Sequence, residues 1–299
     1  MTVDLSVDLF GVKFRNPLIV SACPVTRDSR TAKRIVDAGI GGVVTKTLGK
    51  VPAVDPRPAV ARLDDFTVIN AEKWSQLNYE QWLNEEIPNL KKLGIPVIVS
   101  IGLSPEDAEL ITPLVKDSGA DIIELVSYDA ENIVPMVKIA RPKTDLPILV
   151  KLSANWPNLF EVAVKAVENG ADGITAIDSM GPVLAINIET AKPYLGVPTG
   201  EGWISGKPIK PYAVRAVAGI AQRVNVPILG VGGIYSAKDL IEMILVGAHA
   251  VQLCTVFLTK GPKVISEILN DTKEWMARHG YSSLNDFRGI ALRNIAKIS

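Results

Sequence analysis

Residues 124–132 read Glu-Leu-Val-Ser-Tyr-Asp-Ala-Glu-Asn. An apolar DII precedes them and a helix-like IVPMVKIA follows, so a buried strand is expected to end in Ser127, Tyr128 and Asp129. A hydroxyl, a phenol and a carboxyl in a row can donate, accept or exchange protons; the bland alternative is a polar strand-to-helix turn. Lys46 in VTKT and Lys151 in VKLSAN also close apolar runs. A lysine there either snorkels to water or enters a site. In a site it can act as a Schiff-base nucleophile or as a charge partner for an anionic ring. The stretch GVGGI, with Gly230, Gly232 and Gly233, runs into the helix start SAKD. Glycines before a helix N-terminus expose backbone N–H groups, which makes an anion cradle. Two lysines beside such a cradle suit a phosphate-bearing cofactor whose ring gains negative charge.

Positioning these groups takes a large fold. The 299 residues allow one large domain or two ordinary ones, and 47% hydrophobic content supplies an ample core. Lys plus Arg and Asp plus Glu balance at 32 each, which argues against a polyanionic partner. Cys23 and Cys254 form no CxxC pair, so a disulfide framework, a cysteine-held zinc or an iron–sulfur cluster is not expected, and the usage fits a reducing cytoplasm. The two are read as small packing residues facing a ligand, since neither has a histidine beside it for activation. With only two histidines, a histidine metal site or catalytic triad is not expected; His249 reads as structural and His279 as solvated. The acidic, alternating opening MTVDLSVDLFGVKF is unlike a signal peptide. Residues 240–259 are apolar enough to raise a membrane span, but Glu242, Gly247, His249 and Gln252 favour a helix, a glycine stop and a buried strand.

Eight short apolar runs recur: 17–22, 41–47, 96–102, 121–127, 147–153, 173–179, 227–233 and 250–256. They are continuous rather than alternating, as strands buried on both faces must be. Amphipathic helix patterns lie between most of them, several ending on Gly. The expected fold class is α/β: a (β/α)₈ TIM barrel over residues 1–299 as a single domain, with an open doubly wound sheet as runner-up. The opening VDLSVDLFGVKF reads as an N-terminal β-hairpin capping the barrel bottom. Long loops after strands 2 (48–74) and 6 (180–209) fall on the face where such barrels carry their sites. The strand ends there hold Ser21-Ala22-Cys23, Lys46-Thr47, Ser100, Lys151, Asp178-Ser179, the GVGGI glycines and Cys254-Thr255.

These motifs, from NPLIVSA (16–22) through INAEKWSQLN (69–78), VKLSAN (150–155), ADGITAIDS (171–179) and SGKPIKPYAVRAV (205–217) to GAHAVQLCTVF (247–257), stand in the order of one family. Together they resemble the flavin-dependent dihydroorotate dehydrogenase and dihydropyrimidine dehydrogenase family, class 1-like, over nearly the whole chain. The resemblance implies FMN at the barrel mouth. Ala22, Cys23, Lys46, Thr47, Ser100 and Lys151 would meet the ring, Ile177 and Gly206 would flank it, and Gly232, Gly233, Cys254 and Thr255 would hold the phosphate. Lys151 would stabilise the anionic reduced flavin. Asn70, Asp178 and Ser179 would face the substrate.

The chain departs from the family where members carry Asn-x-Ser-Cys-Pro after strand 4 and an Asn-Thr pair after strand 6. Here the first loop is Val126-Ser127-Tyr128-Asp129-Ala130, and the pair is Asp178-Ser179. A carboxylate cannot donate hydrogen bonds as an amide does, so a pyrimidine bearing an imide and a carboxylate is poorly matched. The expected activity is an FMN oxidoreductase of a C–C bond beside a carbonyl, with a different substrate. Its catalytic candidates are Tyr128, Asp129, Ser127 and Lys46, with Asp178 facing a donor or cationic group. The alternatives are a flavin-free Schiff-base lyase or aldolase on Lys46 or Lys151, and an FMN-binding electron-transfer subunit partnered by an FAD or iron–sulfur protein. A homodimer follows from the family alone, in the cytoplasm that the cysteine usage fits; no nucleic-acid or membrane partner is expected, and no metal.

Overall fold

The computed structural model describes residues 3–299, so Met1 and Thr2 of the opening stretch lie outside the described residues. An antiparallel hairpin comes first, β1 (Val7–Leu9) and β2 (Val12–Phe14). Its turn residues, Phe10 and Gly11, both take positive φ, the geometry whose twist suits a two-residue hairpin. Eight strands then pair in parallel: β3 (Leu18–Val20), β4 (Gly42–Val44), β7 (Val97–Gly102), β8 (Ile122–Val126), β9 (Ile148–Leu152), β10 (Gly173–Ala176), β15 (Ile228–Val231) and β16 (Ala250–Leu253). They close in the order β10-β15-β16-β3-β4-β7-β8-β9, which is the (β/α)₈ barrel expected. Each strand lies inside one of the eight apolar runs and is buried along its length.

The main connections are α1 (Ser29–Asp37), α2 (Tyr79–Gln81) and α3 (Ile87–Lys91) joined through a π turn, α4 (Pro105–Val115), α5 (Ala130–Ala140), α6 (Leu159–Glu168), α7 (Lys210–Ala221) and α8 (Ala237–Leu245). A short α9 (Thr255–Thr259) and a longer α10 (Val264–His279) follow β16. Caps set several starts: Asp28 accepts from the Thr31 amide at 2.6 Å, and Ser104 with Asp107 forms a reciprocal capping box. The apolar stretch 240–259 resolves into the end of α8, Gly247, β16 and α9. No helix among the described residues is long and apolar enough to cross a membrane.

Side chains along a strand alternate between the barrel interior and the helix layer. Ile19, Val44, Ile98, Ile122, Leu149, Leu229 and Ala250 pack with Leu9 and Phe14 of the hairpin, an apolar floor that the hairpin seals. Two residues further along, six of these seven strands turn polar, at Ser21, Lys46, Ser100, Glu124, Lys151 and Gln252, all buried, while Leu229 is followed by Val231. The floor is therefore a packed core, and the chemistry begins one layer above it.

The long loops are not structureless. The first carries β5 (Val60–Arg62) and β6 (Thr67–Asn70). The second carries β11 (Met180–Leu184), β12 (Ile186–Asn187), β13 (Lys192–Pro193) and β14 (Glu201–Gly206). They join as a four-stranded sheet in the order β11-β14-β6-β5, with Trp203 opposite Asn70 and Gly206 opposite Thr67. Gly206 has φ +99°, and a Cβ there would lie 1.9 Å from the Phe66 carbonyl oxygen, so this seam accepts only glycine.

His249 occupies the turn before β16 and accepts the Ile228 amide on Nδ1 at 3.3 Å. Burial, with Arg288 nearby, lowers its pKa from 6.5 to about 4. A depressed folded-state value means its stabilising effect is complete above 6.5 and is lost as pH falls toward 4. That loss amounts to roughly 3 kcal/mol for one group. The stability difference between wild type and His249→Gln, from denaturant melts, should therefore narrow across this window.

Candidate active site

The C-terminal ends of the barrel strands and the excursion sheet enclose a cavity of about 360 Å³, within the roughly 300–1,000 Å³ range of small-molecule clefts. All but two of the site residues expected from sequence line it. Ala22 and Cys23 follow β3, and Lys46 and Thr47 follow β4. Ser127 and Tyr128 follow β8, and Lys151 belongs to β9. Ile177, Asp178 and Ser179 follow β10, Asn70 ends β6 and Gly206 ends β14. Gly232 and Gly233 follow β15, and Cys254 and Thr255 follow β16. The two outside the lining are Ser100 and Asp129. Ser100 is fully buried one layer behind, its Oγ 2.9 Å from Thr47 Oγ1, so it reaches the cavity only by bracing Thr47. Asp129 is exposed at the N-cap of α5, where its side chain makes no capping bond.

The two lysines are buried and paired. Lys151 Nζ lies 3.2 Å from Asp178 Oδ1, and Lys46 Nζ lies 3.5 Å from Glu72 Oε1. Burial alone would lower the Lys151 pKa, but the carboxylates of Asp178 and Glu124 outweigh it and raise it, so the side chain stays an ammonium. Glu124 is fully buried in the barrel interior; its Oε2 accepts from Thr175 Oγ1 at 2.8 Å and Gln252 Nε2 at 2.6 Å. Burial pushes this carboxyl up, opposed by Lys151. Cys23 and Cys254 share a hydrogen bond, which with burial holds the Cys254 thiol well above its ordinary range. That thiol is a poor nucleophile, in keeping with a packing role.

The loop after β8 is held from several sides. Ser127 Oγ donates to the Leu103 carbonyl at 2.7 Å and accepts from Asn132 Nδ2 and the Asp129 amide, both at 3.2 Å. Trp156 Nε1 donates to the Tyr128 carbonyl at 3.1 Å, and the Tyr128 ring stacks on Trp203 with centroids 6.0 Å apart and planes 23° from parallel. Burial, then the charge of Asp178, pushes the Tyr128 phenol up to about 12. Ser127 is thus committed to holding the loop, while the Tyr128 phenol faces the cavity with its proton retained.

Several lining residues were not singled out from sequence, although Glu72 and Trp74 lie within the INAEKWSQLN motif. Glu72, Trp74 and Trp203 come from the two excursions, and Trp156 lies just past β9. Trp203 is placed by pairing between segments more than 130 positions apart, as in the 3.3 Å bond from Asn70 Nδ2 to the Trp203 carbonyl. Glu124 and Gln252 did leave a signal: a carboxyl and an amide inside strands otherwise apolar on both faces.

The fit of a phosphate-bearing flavin can be tested on these atoms. Gly232 and Gly233 take φ of +123° and +73°, and a Cβ on Gly233 would come 2.6 Å from Lys210 Cβ, so the turn presents bare backbone toward the cavity. Gln252 lines the cavity and its buried Oε1 has no partner, an acceptor left for a ligand N–H. With the two lysines, this donor set fits the group. Gly233→Ala would impose a positive φ and a close contact, at a cost of about 1–3 kcal/mol. It is expected to lower flavin retention through gel filtration more than it lowers the melting temperature of flavin-free protein. Among the described residues, no group of three or more His, Cys, Asp or Glu could hold a metal ion.

Comparison with known proteins agrees with this geometry. The dihydroorotate dehydrogenase family matches residues 4–276. The catalytic subunit of dihydroorotate dehydrogenase B (NAD(+)) from Pyrococcus horikoshii is 36% identical over 308 aligned positions, covering 97% of this chain and 98% of the relative. The same subunit from Pyrococcus abyssi is 33% identical over 97% of this chain and 99% of its own length. The NAD-dependent dihydropyrimidine dehydrogenase subunit PreA of Escherichia coli is 28% identical over 99% of this chain and 78% of its own.

Proposed function

Because the chain belongs to the dihydroorotate dehydrogenase family, and is an oxidoreductase of CH–CH groups, we propose that it binds FMN at the barrel mouth and acts on a C–C bond beside a carbonyl in a substrate other than dihydroorotate. The observation that carries this reading is the single cavity shared by Lys46, Lys151 and the Gly232-Gly233 turn. FMN, when bound, supplies a hydride acceptor or donor. Gly232, Gly233, Cys254 and Thr255 would hold its phosphate, with Gly206 and Ile177 beside the ring. Ala22, Cys23 and Thr47 would frame the ring, and Gln252 would accept from it. Lys151, kept cationic by its carboxylate neighbours, provides fixed positive charge where negative charge develops. Tyr128 holds its proton through the neutral range and serves as general acid to the carbon next to the carbonyl. Asn70, Asp178 and Ser179 orient the substrate. The whole chain, 1–299, acts as one FMN-binding domain in this reading.

The test is direct. Protein purified yellow, or reconstituted with FMN to one flavin per chain with a perturbed spectrum, supports the reading; a chain that takes up no FMN sinks it. The Schiff-base alternative requires a neutral amine, whereas both lysines are ion-paired and the Lys151 pKa is raised, so borohydride trapping with a carbonyl compound should label neither. A second reading is favoured by the relatives, which are named as subunits: electrons leave through an FAD or iron–sulfur partner, which co-purification would detect. A cytoplasmic homodimer completes the proposal, tested by light scattering.

A further inference from the structure

The glycine turn after β15 is held between two helices. On one side it lies against the start of α7: a Cβ on Gly232 would sit 3.1 Å from Ala213 Cβ and 3.2 Å from Ile209 Cδ1. On the other side stands Asp239, buried in the first turn of α8. Its Oδ2 accepts from the Tyr235 amide at 3.0 Å and from Ser236 Oγ at 2.8 Å. Its Oδ1 lies 2.7 Å from Nζ of Lys210, the first residue of α7. The ion pair therefore ties α7 to α8 across the turn, and Glu242 holds the same ammonium at 2.6 Å. Burial would raise the Asp239 carboxyl, but the bonds from Lys210, the Tyr235 amide and Ser236 outweigh it and lower its pKa, so the side chain is a carboxylate.

The amides of the turn divide accordingly. Those of Gly232, Gly233 and Ile234, residues that line the cavity, meet no acceptor among the described residues, whereas the next, that of Tyr235, is taken by Asp239. Successive unpaired amides are the donors an anion needs. Neither Lys210 nor Asp239 lines the cavity. Charge does not make Lys210 a counterion there either, because its one ammonium stands against two carboxylates and the cluster is net negative.

We infer that Asp239 is a positioning residue for the phosphate cradle: held by Lys210, it pins the Tyr235 amide and so fixes the turn that presents the three free amides. This deepens the FMN reading and rests on it for the identity of the anion. The clamp also fixes the sign of an effect that charge alone would reverse. Asp239→Asn and Glu242→Gln each delete one negative charge beside the same lysine, so a purely electrostatic role would tighten phosphate binding in both. Glu242 bonds Lys210 but not the turn, and the clamp requires that only Asp239→Asn weaken binding.

FMN and riboflavin, which differ in the phosphate, are titrated into flavin-stripped full-length protein and followed by quenching of flavin fluorescence. Asp239→Asn is expected to weaken FMN about 10- to 100-fold, the range of one hydrogen bond to a charged group, while riboflavin changes by less than about threefold. Glu242→Gln should leave FMN unchanged or tighter. Hydrogen exchange over residues 232–236 of the flavin-free protein is the second readout, faster in Asp239→Asn than in wild type and unaltered in Glu242→Gln. Tighter FMN binding in Asp239→Asn, equal loss of FMN and riboflavin, or unaltered exchange in that variant would overturn the inference. A wild type that binds neither flavin fails the FMN reading instead, and the exchange data then decide the clamp by themselves.

Discussion

Lys151→Met should slow flavin reduction or reoxidation by substrate roughly 10²–10³-fold, the usual loss when one preorganised group at a site of developing charge is removed. Three features make this the largest single effect expected among the cofactor contacts. The ammonium is almost fully buried, so water cannot replace it. Asp178 at 3.2 Å fixes its position before any ligand arrives. Glu124, one strand away in the barrel interior, adds a second charge that keeps it protonated. Removing it strands the two carboxyls, and Asp178, which is partly exposed, can rehydrate while Glu124 is pushed further toward its neutral form. A fall in melting temperature is therefore expected as well, and by itself would say only that a buried pair was broken. The discriminating readout is the flavin midpoint potential: it should drop in Lys151→Met and recover in Lys151→Arg. A variant that loses stability but keeps its potential and its stopped-flow rate would leave Lys151 a packing residue.

The barrel was legible because its strands are short, apolar throughout and flanked by turn residues, a pattern that buried parallel strands impose directly on sequence. The site was legible to the same depth. Lys46, Lys151 and the Gly232-Gly233 turn were visible as polar or glycine residues closing apolar runs, and alternation along the strands then aims them into the barrel. The excursion sheet was not visible. β11 runs Met-Gly-Pro-Val-Leu with mixed exposure, and β14 finds its partner β6 only in three dimensions. Trp203 was lost with it, and Glu72 and Trp74, though inside the INAEKWSQLN motif, could not be told apart from their neighbours, so the acidic, aromatic character of the chamber went unread. The reading of Asp129 as a proton-transfer candidate rested on counting along a loop. The structure turns that residue to the exposed N-cap of α5; of the three loop residues only Ser127 is buried, and Tyr128, half-exposed, lines the cavity.

Tyr128→Phe should cost about 10²–10⁴-fold in kcat, the range for losing a general acid, with KM for substrate changed little. The ring remains in the variant, so its stacking on Trp203 and the bond from Trp156 to its carbonyl survive, and only the phenolic hydroxyl is lost. The neighbours serve as controls. Asp129→Asn should change kcat by less than about threefold, far below a general-acid loss. Ser127→Ala should act through the loop, lowering stability and raising KM, since that hydroxyl is fully engaged with Leu103, Asn132 and the Asp129 amide. The pH profile assigns the direction. A phenol with a pKa near 12 is protonated across the neutral range, so the rate of substrate reduction should be flat from pH 6 to 9 on this group's account. Run in reverse, the same residue must act as a base, and its deprotonated fraction rises about tenfold per pH unit until the pKa is reached. Substrate oxidation should therefore climb steadily over that interval in wild type and lose the slope in Tyr128→Phe. A Tyr128→Phe enzyme with wild-type kcat in both directions would return the proton-transfer role to another group in the chamber.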